Sequence, residues 1–193
     1  DAYEAVRGKV AHFIGAKSGD EIVLTAGATM ALNMIAQCWA LPRLNAGDEI
    51  LISIAEHHAN IVPWQMVAEK TGAVLRAFPV DEDGSFNMTA FTDMITARTR
   101  IVSVPHVSNV LGTVFPVAEM AKIAHDANAL MVVDGCQGVI HMPVDVQALD
   151  ADFYVFSAHK LYGPNGVGIL WGKAEILDEL PPFLGGGDMI DRV

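Results

Sequence analysis

Phe153-Tyr154-Val155-Phe156 runs without a break into Ser157-Ala158-His159-Lys160. Four consecutive large apolar or aromatic residues, with no polar residue alternating among them, describe a strand covered on both faces, as in the parallel sheets of α/β proteins. The abrupt change to Ser, His and Lys puts hydrogen-bonding groups just past the carboxyl end of that strand. Upstream, Leu130-Met131-Val132-Val133 leads into Asp134-Gly135-Cys136-Gln137 and repeats the pattern.

Outward from these two strands the chain alternates helix and strand. Ala2, Val6, Val10, Phe13 and Ile14 recur at helical spacing and stop at Gly15. Strands are predicted over residues 21–25, 49–54, 74–80, 100–105 and 166–171, and helices over 30–39, 61–71, 90–95, 117–127 and 173–180, with Pro63 tolerated in the first turn of its helix. This alternation predicts a single α/β domain, a mostly parallel sheet with helices on both faces.

Composition agrees with one domain, since 193 residues that are 52% hydrophobic supply one substantial core. Twelve Lys and Arg against 23 Asp and Glu leave a formal charge of -11, which repels nucleic acid and anionic membrane surfaces. No apolar run approaches the roughly 18 to 20 residues that span a bilayer, and Asp1 to Arg7 lacks the basic-then-apolar order of a signal peptide. Cys38 and Cys136 form neither a disulfide framework nor a metal-ligand spacing. A cytoplasmic protein without a metal site is expected. The start in a helical pattern without Met, and the end at Arg192-Val193 after the Gly185 to Gly187 run, mark both ends as cut.

Unusual polar residues follow strand after strand. Gly27-Ala28-Thr29 follows the first strand, Glu56-His57-His58 the second, His106 to Asn109 the fourth, Asp134 to Gln137 the fifth and Ser157 to Lys160 the sixth. In an open parallel sheet these ends form one crevice, the usual ligand site of such folds. Gly27-Ala28-Thr29 opens a helix, where backbone N–H groups, the dipole and the Thr29 hydroxyl suit a phosphate; it also reads as a plain cap. Asp134 ends an apolar strand and needs a cationic or hydrogen-bonding partner, or else caps the next turn. Lys160 reads either as a nucleophilic amine in a partly desolvated crevice or as a solvated side chain. Adjacent His57 and His58 point in different directions on an extended chain, so a ring stacked on another π-system suits them better than a metal.

Four stretches carry a resemblance: Ala55-Glu56-His57-His58-Ala59-Asn60-Ile61-Val62-Pro63-Trp64, Val107-Ser108-Asn109-Val110-Leu111-Gly112, Val133-Asp134-Gly135-Cys136-Gln137 and Phe156-Ser157-Ala158-His159-Lys160-Leu161-Tyr162-Gly163-Pro164. With them, over essentially all 193 positions, the chain resembles the cysteine desulfurases of the class V aminotransferase family, especially the branch of Suf-type desulfurases and selenocysteine lyases. The resemblance implies a pyridoxal 5'-phosphate-dependent transferase fold, with residues 1–193 as an aspartate aminotransferase-like large domain whose N-terminal segment and C-terminal small domain lie outside the chain. It implies that Lys160 carries the cofactor covalently, Asp134 pairs with its ring nitrogen and His57 stacks on the ring and relays protons. Gln137 would hold the ring hydroxyl oxygen, Asn109 would lie near the substrate carboxylate, and Thr29, Ala28, Ser157 and His159 would grip the phosphate.

L-cysteine or L-selenocysteine is the implied substrate, a sulfur-acceptor protein the implied partner, iron-sulfur cluster assembly the implied use and a homodimer the implied assembly. The family's persulfide-forming cysteine and its carboxylate-binding arginines match no position here, so the chain alone is expected to be inactive. Gly27-Ala28-Thr29-Met30 departs from the family's usual Gly-Thr-Thr-Glu by one hydroxyl, and Ala158 replaces its usual glycine. Another class V enzyme, an aminotransferase or kynureninase-like hydrolase, shares Lys160 and Asp134 and is the enzymatic alternative. A fragment that binds cofactor or dimerises without turnover is the other. A nicotinamide dehydrogenase is set aside, because no Gly-x-Gly-x-x-Gly follows the first strand.

Overall fold

The computed structural model describes residues 2–186, the side chain of Tyr3 apart; Asp1, Gly187 and Arg192-Val193, which carry part of the reading of the two ends, lie outside the described residues. In chain order the elements are α1 (Ala2–Ile14), β1 (Ile22–Thr25), α2 (Ala28–Met34) continued by a π-helical stretch (Ile35–Ala40), β2 (Glu49–Ser53), α3 (Val62–Thr71), β3 (Val74–Phe78), α4 (Met88–Met94), β4 (Thr99–Pro105) and α5 (Val117–Asp126). There follow β5 (Leu130–Asp134), α6 (Gly138–His141), α7 (Val146–Leu149), β6 (Phe153–Ser157), a 3₁₀ turn (Ala158–Leu161), β7 (Gly168–Gly172) and α8 (Ala174–Leu177).

The seven strands form one sheet in the order β1-β7-β6-β5-β4-β2-β3. Every pair is parallel except those made by β7, which runs antiparallel to both β6 and β1. Six strands therefore share one direction. Every residue of β2, β5, β6 and β7 is buried, so both faces of the sheet are covered, as the unbroken apolar runs predict. The antiparallel course of β7 is a finding that its sequence does not announce, and the helix expected over 173–180 shortens to α8.

Because β7 turns back between β6 and β1, Gly168 pairs with both Ser157 and Thr25 and brings their carboxyl ends together. A Cβ on Gly168 would lie 2.3 Å from Gly27 Cα and 2.4 Å from its carbonyl carbon, far inside van der Waals contact with backbone that has no free end to move. The bare backbone lets the Gly27 turn seat against the sheet, and Ala28 N–H then donates to Ser157 Oγ at 2.9 Å. At the opposite end of the sheet the buried Glu49 carboxylate ties β2 to its neighbours, accepting from Arg76 at 2.9 Å, Arg98 at 3.0 Å and Thr96 Oγ1 at 2.7 Å. Burial alone would push this carboxyl up; Thr96, Arg98 and Arg76 together hold it below the usual carboxylate range.

Gly168→Ala forces backbone apart rather than a flexible side chain, which places it with overpacked cores that lose about 1–3 kcal/mol. For a chain of this length the expected fall in Tm is about 2–4 °C per kcal/mol, read in a thermal melt. An unchanged Tm contradicts the close contact.

Candidate functional site at the carboxyl edge of the sheet

Asp134, the last residue of β5, sits between Pro105 of β4 and Val155 of β6 and is 7% exposed. One oxygen, Oδ1, accepts from Cys136 N–H at 2.9 Å, so the side chain caps its own turn and also faces a hollow. That hollow is lined by His57, Asn109, Asp134, Cys136, Gln137 and Lys160, with Pro105 and Val107 as its apolar wall. Five of the residues singled out from sequence thus meet in one place. They come from four separate loops, and each loop follows a strand that runs in the same direction.

Lys160 leaves β6 within the 3₁₀ turn, half-buried, and its positive charge is felt at Cys136 on the neighbouring loop. His57 caps the 3₁₀ turn over His58–Asn60, its Nδ1 accepting from Ala59 N–H at 3.1 Å. In the neutral ring this assigns the proton to Nε2 and leaves an exposed imidazole at the hollow. Its contact with His58 is edge-on, with centroids 6.2 Å apart and planes at 80°, so neither face of His57 is stacked by its neighbour.

A second hollow, lined by Thr29, Asn33, His57, His58 and Ala59 among others, shares His57 with the first. Thr29 therefore joins the site across that ring. Ala28 and Ser157 meet at the mouth of α2 and are both buried, while exposed His159 lines neither hollow. The cap of α2 is Gly27, with no side-chain bond, so Thr29 is not a capping residue. Thr29 is exposed at the second hollow, while the first-turn N–H of Ala28 is taken by Ser157 Oγ.

The cysteines behave differently from a reactive thiol. Burial, followed by the negative charge of Asp134, pushes Cys136 up to about 12, against the smaller opposing pull of Lys160. Burial also raises Cys38, which lies in the π-helical stretch. The thiolate is the nucleophile, so neither group is poised to attack.

Two features escaped the sequence reading. Glu56, beside His57, is buried and has one oxygen, Oε1, with no hydrogen-bond partner. Its Oε2 accepts from Asn60 Nδ2 at 2.9 Å, and Asn60 cannot rotate away, because its Oδ1 already accepts from Trp64 Nε1 at 2.9 Å and Ser103 Oγ at 2.6 Å. Burial pushes the Glu56 carboxyl well above the usual carboxylate range, the Asn60 amide opposes this, and the charge of Asp134 adds to it. The i, i+4, i+8 spacing of Glu56, Asn60 and Trp64 was the available signal. The other feature is the buried pair of His106 and Tyr154, whose Nδ1 and hydroxyl lie 2.8 Å apart beneath the Asp134 turn.

A carboxylate, an amine, an exposed aromatic ring and amide groups converging at the carboxyl edge of a parallel sheet define the candidate ligand site of an α/β domain. Comparison with known proteins gives this class a family. The pattern of the family described as aminotransferase class-V matches residues 1–193. A probable cysteine desulfurase of Synechocystis sp. is 52% identical over 193 residues, covering 100% of this chain and 46% of that protein. A cysteine desulfurase of Escherichia coli O7:K1 is 50% identical over 190 residues, covering 98% of this chain and 47% of its own length. The crystal structure of the cysteine desulfurase CsdA from Escherichia coli superposes with a TM-score of 0.96 at 49% identity, over 99% of this chain and 48% of that one. The chain belongs to the class V aminotransferase family, whose members use pyridoxal phosphate. It spans about half the length of the curated relatives it matches.

Glu56 gives the site a pH signature. A carboxyl raised by folding has its associated stability complete below the unfolded value of about 4.5 and loses it as pH rises through the raised folded value. Glu56→Gln stays neutral and keeps an acceptor for Asn60. Denaturant titrations are expected to place it near the unsubstituted protein at pH 4.5 and increasingly above it toward pH 8; a difference constant with pH contradicts a protonated Glu56.

Proposed function

We propose that this chain is the cofactor-binding large domain of a cysteine desulfurase, which removes sulfur from L-cysteine to leave alanine and an enzyme persulfide. The observation that carries the reading is the convergence of Asp134, Lys160, His57, Asn109 and Gln137 on one hollow. These residues fit pyridoxal phosphate by their chemistry: a buried carboxylate seeks a cationic partner, an amine lines the same hollow, and an exposed imidazole ring lies beside them. When bound, the cofactor supplies an electron sink for the substrate's Cα–H bond.

Around it, Asp134 would hold the proton on the ring nitrogen, and Lys160 would carry the cofactor through Nζ. His57 would cover the ring with its Nε2–H available to pass a proton, while Gln137 would donate to the ring oxygen and Asn109 would orient the substrate carboxylate. Thr29, the Ala28 turn, Ser157 and His159 would hold the phosphate. Ser157 Oγ already accepts from Ala28 N–H, which leaves its hydroxyl hydrogen free to donate outward.

The persulfide belongs on a cysteine other than the two present, since both are buried and raised. L-selenocysteine is a second substrate within the same chemistry, and a sulfur-acceptor protein of iron-sulfur cluster assembly is the partner. A homodimer is supported by exposed apolar side chains close in sequence to site residues: Ile54, Val110, Leu111 and Tyr162, the last 95% exposed. A reducing cytoplasm suits two free thiols.

Borohydride reduction fixes the cofactor to the residue that carries it. Peptide mapping is expected to find the label on Lys160, and label on Lys122 or Lys173 instead would overturn the assignment. Loaded with pyridoxal phosphate and given L-cysteine and reductant, the chain is expected to release no sulfide at a rate comparable with a full-length relative; release that is lost in Cys136→Ser would make Cys136 the acceptor. In a full-length protein carrying this domain, Asp134→Ala is expected to leave the fold intact and abolish desulfuration, and near-normal turnover would contradict the role of Asp134.

A further inference from the structure

Tyr154 is fully buried in β6 and His106 nearly so at the end of β4, the two strands that flank β5. Their rings stand perpendicular at 5.8 Å, with the Tyr154 hydroxyl 2.8 Å from His106 Nδ1. The Asp134 turn rests directly on this pair. A Cβ on Gly135 would lie 2.0 Å from Tyr154 Cε1, and one on Gly138 would lie 2.6 Å from His106 Nδ1 and 2.8 Å from the Tyr154 hydroxyl oxygen. The two glycines bracket the turn, so its backbone has no clearance above the pair. The same turn is pinned from both sides, by His106 N–H donating to Asp134 O at 2.9 Å and Gly135 N–H donating to Val155 O at 2.8 Å.

We propose that the buried His106–Tyr154 pair is a positioning device for Asp134: it sets the height and tilt of the turn that aims the carboxylate into the hollow. The inference deepens the reading of Asp134 as the partner of the cofactor's ring nitrogen, and rests on it only for its chemical consequence. Burial lowers His106, which keeps the ring neutral, and raises Tyr154 first by burial and then through Asp134. The hydroxyl therefore stays protonated and donates to a neutral Nδ1. No positive charge forms beneath Asp134 to compete with a cation in the hollow. Neither His106 nor Tyr154 lines the hollow, so the pair acts through the Asp134 turn and not on a ligand.

The test uses Tyr154→Phe, which keeps the ring under Gly135 and removes only the hydroxyl, and His106→Asn, whose amide oxygen retains an acceptor near the Nδ1 position. The first readout is the side-chain carboxyl ¹³C resonance of Asp134 in the cofactor-free protein, assigned by its loss in Asp134→Asn. It is expected to move in Tyr154→Phe and to return toward its original position in His106→Asn; an unmoved resonance in a folded Tyr154→Phe overturns the proposal, as does His106→Asn moving it further than Tyr154→Phe. The second readout is the visible absorption and circular dichroism of bound pyridoxal phosphate with its dissociation constant. Tyr154→Phe is expected to shift the band in the same direction as Asp134→Asn and weaken binding about fivefold, the factor for one net hydrogen bond. In the double variant the effect of Tyr154→Phe is expected to vanish, because the group it positions is gone. A full additional loss there means that the pair acts independently of Asp134 and overturns the proposal. If the resonance moves but the cofactor spectrum ignores both Asp134→Asn and Tyr154→Phe, positioning stands and the ring-nitrogen role of Asp134 fails.

Discussion

A carboxylate placed at the end of a strand that is buried on both faces constrains everything around it. Desolvating a charge of that kind is costly unless donors and a cation compensate it. Asp134 receives one backbone N–H from its own turn, has a side-chain hydrogen bond with the Cys136 thiol, and lines the hollow. Lys160 faces it from β6, and the loops after β2 and β4 bring His57 and Asn109 to the same rim. The parallel order of the central strands makes this possible, because it delivers every loop to one edge.

Two carboxyl groups near one another then divide the labour. Asp134 lines the hollow, whereas Glu56 is buried, and burial with the charge of Asp134 close by pushes its carboxyl well above the usual carboxylate range. The raised carboxyl of Glu56 favours its neutral form and so lessens the repulsion between the two groups. The same economy appears in the thiols: a Cys136 pushed up to about 12 is a small apolar wall with a proton on it, suited to packing beside a cofactor and not to attacking a substrate.

Much of this was legible before any coordinates. β5 and β6 fall where their unbroken apolar runs end, and the polar loops do converge at one edge, since direction follows from helix-strand alternation. The direction of β7 was not legible, because a buried five-residue strand looks alike in either sense and its partners are set by the turn through Gly163 to Gly166. Thr29 reads as a cap by residue type, but Gly27 takes that position with φ at +156°, a conformation that side chains rarely adopt. Glu56 reads only as one of the polar residues after β2, because its burial depends on partners distant in the fold such as Ser103 beyond Asn60, and the His106–Tyr154 pair was not legible because its partners are forty-eight residues apart. Of that contact only the glycines at 135 and 138 leave a trace in the sequence.

The turning back of β7 also bears on how the molecule is made. Among the described strands β1 is made before all the others, yet its one neighbour there is β7, made after them, so Thr25 waits for Gly168 as its partner in the sheet. Strands β2 to β6 can pair among themselves as they emerge, while the contact of the Gly27 turn with Gly168 forms only once translation has passed β7. Contacts this distant in sequence are slow to close and leave apolar edges uncovered in the interval. The side of the site at Gly27 to Thr29 is thus completed on a nascent chain later than the side centred on Asp134.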